Sequence, residues 1–382
     1  MDTTNFRLAR NVLIKALLLF IIINLLFAAT APLSILGKIS IYNLLVPGRL
    51  RLPYGDDPTL AYNLSTYNLV AMLASHELSA GSKAADEYRV ILLGDSSTWG
   101  FLLEPEQTLS AQINAAGYTL DDGRRVRAYN LGYPVMSLTK DLLILSLVKR
   151  YQPDLIVWPL TLESFPYDKQ LFPPLLQNNP EAVQELTQKH DLDLKTYQAD
   201  PTSQVAFNIE SFWGSTILGQ RRSLAEIIRL QLYGVMWAAT GIDQHIPETY
   251  TPRMEDLPDD LSFHDLEPSH LNRDDLAFDV VQAGIDLAGD TPIILVNEPM
   301  FISQGENSDV RYNFYYPRWA YDDFRVLMNQ ESQKKGWSYI DLWDAIASTE
   351  FTNSAVHLSP AGTAQFAKLL EAVILEAANS AP

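Results

Sequence analysis

Three patterns of hydrophobic and polar positions divide the chain. The first is unbroken: Leu17 to Leu36 is apolar except at Asn24, Thr30, Pro32 and Ser34. About twenty such residues suffice to cross the hydrocarbon core of a bilayer as a helix. The second pattern alternates short apolar runs with segments of helical period. It predicts strands over 89–93, 126–131, 154–160, 292–297 and 338–342. Helices fall between them, over about 106–115, 137–150, 273–288 and 318–334, with a last helix running to about Ala377. Helices set between apolar strands imply an α/β domain: a mostly parallel sheet covered on both faces, with any ligand at the carboxyl ends of its strands.

In the third pattern, over about 165–270, the alternation stops. The gap is too long for an ordinary connection and must carry structure of its own. Within it Ser223 to Thr240 reads as a helix with a broad apolar face that includes Leu224, Ile227, Leu230 and Val235. This insertion is expected either to form a lid or membrane-facing flap, or to complete the core as a small helical subdomain. Between the first two patterns, 39–87 mixes a Pro/Gly stretch with a plausible helix from Ser65 to Leu78. Its aromatic and aliphatic content points to a connector that packs on the domain from 88 to 382.

Charge narrows the partners. A formal net charge of −18 argues against nucleic acid, whose phosphates would be repelled, and, for the chain as a whole, against peripheral adhesion to anionic lipid. Arg7, Arg10 and Lys15 precede the apolar stretch, which keeps the amino terminus cytoplasmic and sends the rest across. A retained anchor within 1–38 is the reading favoured by the length of that stretch. A signal peptide cleaved near Ala29-Thr30-Ala31 is the alternative. The chain has no cysteine, hence no disulfide, thiolate nucleophile or Cys-ligated metal. No phosphate-loop or dinucleotide motif occurs, so no cofactor is implied.

The candidate chemistry begins where the run Arg89 to Leu93 stops at Gly94-Asp95-Ser96. A hydroxyl at a strand-to-helix turn lies at the carboxyl edge of a sheet, near backbone N–H groups that can hold an oxyanion. Far downstream stands Val356-His357-Leu358-Ser359-Pro360-Ala361-Gly362. Ser359 reads as an N-cap with Pro360 at the first helical position, which leaves His357 on the loop ahead of the last helix, where a base can face Ser96.

A Gly-Asp-Ser strand end followed, before the final helix, by His-Leu-x-Pro-x-Gly resembles the SGNH/GDSL hydrolase family over roughly residues 88 to 377. The resemblance implies a flavodoxin-like three-layer α/β/α sandwich, with Ser96 as nucleophile and His357 as base. It places the orienting acid three residues before the histidine, which here is Ser354. Asn353 is the nearest side chain of suitable shape, and Asp341 or Asp344 are spatial alternatives. For the oxyanion hole the resemblance implies the N–H groups of Ser96 and Gly132. Glu163 stands where the family has an asparagine donor, and is expected either to orient His357 or to yield the donor role to Thr161.

Asp95, Asn297, Glu298 and Arg318 are the candidate substrate contacts. His264 and His270 lie in an acidic run, Glu255 to Asp275, whose spacing fits no common zinc pattern and reads as a solvated face. His76, His190 and His245 read as structural or exposed. The implied activity is esterase or O-acyltransferase chemistry on acyl esters of an envelope glycan or related substrate, outside the cytoplasm. The same reading implies an envelope acyl-transfer protein as a partner. A non-catalytic glycan-binding protein on the same fold is the alternative.

Overall fold

The computed structural model describes residues 3–46, 48–54, 67–194, 212–240, 246, 249–266, 268 and 270–380. Five strands form one parallel sheet: β1 Glu87–Leu92, β2 Arg125–Asn130, β3 Leu155–Leu160, β4 Ile293–Asn297 and β5 Ser338–Asp341. Their order is β2-β1-β3-β4-β5. All four pairings are parallel, with Leu92 opposite both Asn130 and Val157, and Asn297 between Leu160 and Asp341. The expected flavodoxin-like α/β fold is the one present.

Strand alternation decides the two cores. Tyr88, Val90 and Leu92 point to the layer formed by the helices Leu109–Ala116 and Pro360–Ser380. Ile91 and Leu93 point to the opposite layer, built on the helices Leu138–Val148, Phe278–Ala288 and Arg318–Lys335. Both faces of β1, β3 and β4 are therefore covered, which explains why these strands read as continuous apolar runs. The order reverses at β1, and successive crossovers depart to opposite faces there. This opens a crevice above the carboxyl ends of β1 and β3.

The amino-terminal helix, Thr3–Thr30, is almost entirely exposed, and its stretch Phe6–Thr30 is long and apolar enough to cross a membrane. By the same test it is either an anchor or a signal sequence. The expected continuation to residue 36 does not occur. Ala31 takes a positive φ of 41°, Pro32 has no N–H to continue the ladder, and a separate turn Leu33–Leu36 follows. The connector helix is shorter than expected, at Leu69–Ser75, and residues 65–66 lie outside the described residues. In the insertion the helix Arg221–Thr240 is present, whereas 195–211 and His245 lie outside the described residues.

Candidate active site

Three loops converge above the crevice. The first follows β1, where Gly94 has φ +128° and the position of a Cβ would fall 2.5 Å from Thr98 Oγ1. Only glycine fits such a backbone. Asp95 then caps the one-turn helix Ser96–Trp99, its Oδ1 accepting from the Ser97 N–H at 2.7 Å. Ser96 thus occupies the first helical position, half-buried at the sheet edge, and its N–H meets no acceptor among the described residues.

The second loop is a tight reversal closed by an antiparallel bridge between Phe351 and Leu358 and by Thr352 N–H donating to the His357 carbonyl at 2.8 Å. This reversal brings Asn353 back onto His357. Ser359 caps the last helix, accepting from the Gly362 N–H at 3.0 Å, with Pro360 opening the helix. The result is a chain of two hydrogen bonds. Ser96 Oγ lies 2.7 Å from His357 Nε2, and His357 Nδ1 lies 2.8 Å from Asn353 Oδ1. Thr352 Oγ1 donates to the His357 carbonyl at 3.1 Å, which ties the reversal together beside the Asn353 amide, whose carbonyl oxygen faces the ring. Nδ1 therefore carries the proton and Nε2 faces the Ser96 hydroxyl as an acceptor. Phe101 stacks on the imidazole, with centroids 4.9 Å apart. Burial pushes the His357 imidazole down to about 4, so it is neutral at pH 7.

The third element departs from expectation. Glu163, after β3, is buried, but its carboxylate is taken by Lys169 Nζ at 2.8 Å and His264 Nε2 at 3.1 Å. Both nitrogens of His357 are engaged by Ser96 and Asn353, so Glu163 does not orient the imidazole. His264 is likewise no solvated bystander: its Nδ1 lies 2.9 Å from Asp168 Oδ2. Burial works against a charge on this ring, but the hydrogen bonds to Asp168 and Glu163 outweigh it and raise His264 to about 9. Thr161 is fully buried with its hydroxyl 2.9 Å from the Tyr316 hydroxyl, which removes it as an oxyanion donor. The Gly132 N–H donates to Asn130 Oδ1 at 3.0 Å. An arriving oxyanion therefore meets a free Ser96 N–H and has to compete with Asn130 for Gly132.

Other candidates are placed as supports. Ser354 is buried against the Tyr315 hydroxyl rather than the imidazole. Asn297 is fully buried and satisfied by Asp341 Oδ1 at 2.9 Å and the Tyr321 hydroxyl at 3.0 Å, out of reach of substrate. Asp341 is itself held by Arg325 at 2.8 Å, and Asp344 is exposed. Arg318 donates to the Ser308 carbonyl at 2.7 Å and lies over the Tyr312 ring, a structural role. Glu298 is buried with neither oxygen in a well-formed hydrogen bond, and the groups facing it are Asp95, the Ser97 hydroxyl, Asp141 and Lys140. Burial and the neighbouring Asp95 charge raise the Glu298 carboxyl far above its ordinary value. The carboxyl sits beneath the nucleophile turn beside Asp95, where its charged form is disfavoured.

Sequence reasoning missed the clamp on that turn. Lys140 is fully buried, its Nζ donating to the carbonyls of Gly94 at 2.7 Å and Tyr133 at 2.6 Å and pairing with Asp141 at 2.8 Å. Asp141 in turn accepts from the Gly94 N–H and from Trp158 Nε1. One ion pair thus holds both polar ends of the residue that aims the serine. The available signal was Lys140-Asp141 set inside an otherwise apolar helix.

No family model matches the chain, and no curated protein matches it. Among solved structures it is similar to a carbohydrate acetylesterase from Sinorhizobium meliloti, at 10% identity over 76% of this chain and 99% of that one, with a TM-score of 0.34. It is similar to the native M. smegmatis aryl esterase at 10% identity over 75% and 98% of the two chains, with a TM-score of 0.34. The periplasmic domain of a lipopolysaccharide acetyltransferase from Salmonella ser. Paratyphi A shares 11% identity over 81% and 90%, with a TM-score of 0.32. In its two motifs, its parallel strand order and its Ser96–His357 pair the protein resembles the SGNH/GDSL hydrolases, with the amide Asn353 rather than an acid on the imidazole.

Proposed function

We propose that the protein is a serine esterase or O-acyltransferase of SGNH type, anchored by its amino-terminal helix. On this reading it acts outside the cytoplasm on acyl esters of an envelope glycan or a related substrate. The observation that carries the chemistry is the hydrogen-bonded chain from Ser96 through His357 to Asn353, at 2.7 and 2.8 Å. Ser96 Oγ attacks the acyl carbonyl as Nε2 takes its proton, and the imidazolium delivers that proton to the departing alcohol. Water or a second hydroxyl then attacks the acyl-serine, with Nε2 again the base, and Ser96 leaves with its proton restored. The polar end of Asn353, unlike a carboxylate, supports the imidazolium only as a dipole.

Support for the location is the exposed apolar helix with Arg7, Arg10 and Lys15 at its start. One observation favours the non-catalytic alternative: of the three expected oxyanion donors, Thr161 is committed elsewhere and Gly132 is shared with Asn130. Hydrolysis of a small aryl ester separates the readings. Loss of about 10³-fold or more in kcat for Ser96→Ala is expected of the enzyme, in the range seen when an activated nucleophile is removed. Turnover unchanged by that substitution would leave the binding protein as the better account.

A further inference from the structure

The helix Arg221–Thr240 is apolar on two opposite faces, and among the described residues only one is covered. At 100° per residue, Ile227, Leu230 and Trp237 point to one side, where they pack against Tyr42 and Ala71. Gly234 lies on that side as well, and the position of its Cβ would fall 2.3 Å from the Tyr42 ring, so the ring sits directly on the helix backbone. On the opposite side Ile228, Leu232, Val235 and Met236 recur at i, i+4, i+7 and i+8, between 39% and 68% exposed. A core-completing helix has no need of this second stripe, and large aliphatic rows left in water mark contact surfaces.

We infer that this stripe, with the segment beside it, rests in the interface of the bilayer that holds the amino-terminal helix. Continuity is the first reason. The anchor helix touches Phe212–Ser215 just ahead of Arg221–Thr240. The chain leaving it runs alongside the stripe, where Gln231 donates to the Ile39 carbonyl at 2.7 Å and accepts from the Ile41 N–H at 2.8 Å. Ile39, Ile41, Leu44 and Leu45 of that segment are themselves exposed.

Charge is the second reason. The chain as a whole carries 46 acidic against 28 basic residues, yet Arg222 and Arg229 border the stripe and Lys38 is exposed on the adjoining segment. The single carboxylate of the helix, Glu226, is turned inward to accept from the Tyr67 and Asn68 N–H groups at 3.1 Å each. Apolar residues flanked by cations facing outward are the pattern of a helix lying in an anionic lipid interface.

This platform is wired to the site. Arg49 lies over the Trp237 ring, while Arg51 lies over Trp99 and donates to the Gly100 carbonyl at 2.7 Å, at the end of the nucleophile helix. The stretch Arg49-Leu50-Arg51 therefore links the membrane-facing helix to the nucleophile helix, and the bilayer contact sets the height and tilt of the crevice.

The surface rests on the anchor reading above, and the test keeps the two apart without measuring ester turnover. Because the chain has no cysteine, single substitutions Leu18→Cys, Leu232→Cys, Met236→Cys and Val326→Cys can be labelled uniquely with an environment-sensitive fluorophore. The labelled full-length protein is reconstituted in phosphatidylcholine/phosphatidylglycerol vesicles doped with acyl-chain nitroxide lipid. Labels at Leu18, Leu232 and Met236 should each lose at least half their emission, while that at Val326, exposed on the distant helix Arg318–Lys335, should be unaffected. Quenching at Leu18 without quenching at Leu232 and Met236 overturns the surface alone. No quenching at Leu18 overturns the anchor and the surface with it. Energy transfer between copies labelled at Leu232, in the absence of lipid quenching, would assign the stripe to a dimer and overturn the proposal as well.

Discussion

Replacing Asn353 by aspartate inserts the one charge that the candidate site lacks. Asn353 Oδ1 lies 2.8 Å from Nδ1, which puts a carboxylate about 4 Å from the centre of the imidazolium charge. At an effective dielectric constant near 20 that separation is worth about 4 kcal/mol, or about 3 pH units on the histidine. Position 353 is half-buried, so part of this is lost to desolvation of the new carboxylate. A net rise of about 1 to 2 units is expected.

In the native protein burial holds His357 down at about 4. The base is free above that value, so kcat/KM for a small aryl ester should rise through a limb near pH 4 and stay level toward neutrality. In Asn353→Asp the limb should move to about pH 5 to 6, and the plateau should rise by up to about 10- to 100-fold as the imidazolium is stabilised in the transition state. Asn353→Ala should lower the plateau by at least about 5- to 10-fold, the worth of one neutral hydrogen bond. A profile from pH 3 to 9 for the three proteins is the assay. A limb that stays near pH 4 in Asn353→Asp, with an unchanged plateau, would refute the coupling of residue 353 to the base.

Other perturbations test the supports. Lys140→Met strands Asp141 in the core and should destabilise the fold by about 3 to 5 kcal/mol in denaturant unfolding. Retention of native stability would mean that the ion pair does not hold the Gly94 turn. Glu298→Gln keeps a neutral donor beside Asp95 and should leave thermal stability within about 1 kcal/mol, whereas Glu298→Ala should cost about 1 to 3 kcal/mol. Equal losses in both would contradict a polar contact of Glu298 beneath the nucleophile turn. His264 is raised in the folded state from about 6.5 to about 9, so the stability it contributes is fully present below pH 6.5 and lost as pH climbs through 9. The stability gap between native protein and His264→Gln should narrow over that window, and a gap independent of pH would remove the charge from His264.

Much of the fold could be read because strand and helix periods differ, and because β1, β3 and β4 are covered on both faces. Ser96 and His357 could be placed together for a related reason: each follows a local rule, a strand ending at Gly94 and a cap at Ser359, that puts it at the same sheet edge. What was not legible depends on side chains meeting across the fold. Asn353 stands out in the sequence by its shape and Ser354 by its spacing, and only the 351–358 reversal, which counting along the chain does not show, decides for Asn353. Glu163 was assigned by its position after β3, yet its direction is set by Lys169 and by His264 from the insertion, whose register no periodicity reveals. Lys140 and Asp141 looked like polar interruptions of a helix, and their partner is a backbone peptide 46 residues upstream of Lys140. The break at Ala31-Pro32 was visible in the sequence, but hydropathy alone does not distinguish a helix from a helix followed by a turn.

The central claim is that Ser96 is a nucleophile activated by His357. Treating the full-length protein with a fluorophosphonate probe and mapping the adduct by peptide mass spectrometry tests it most directly. The account predicts a single covalent adduct on Ser96, abolished in Ser96→Ala and slowed at least about 10²-fold in His357→Ala, since the base supplies the nucleophile's reactivity. No adduct on Ser96, or labelling that persists at full rate in His357→Ala, would contradict it.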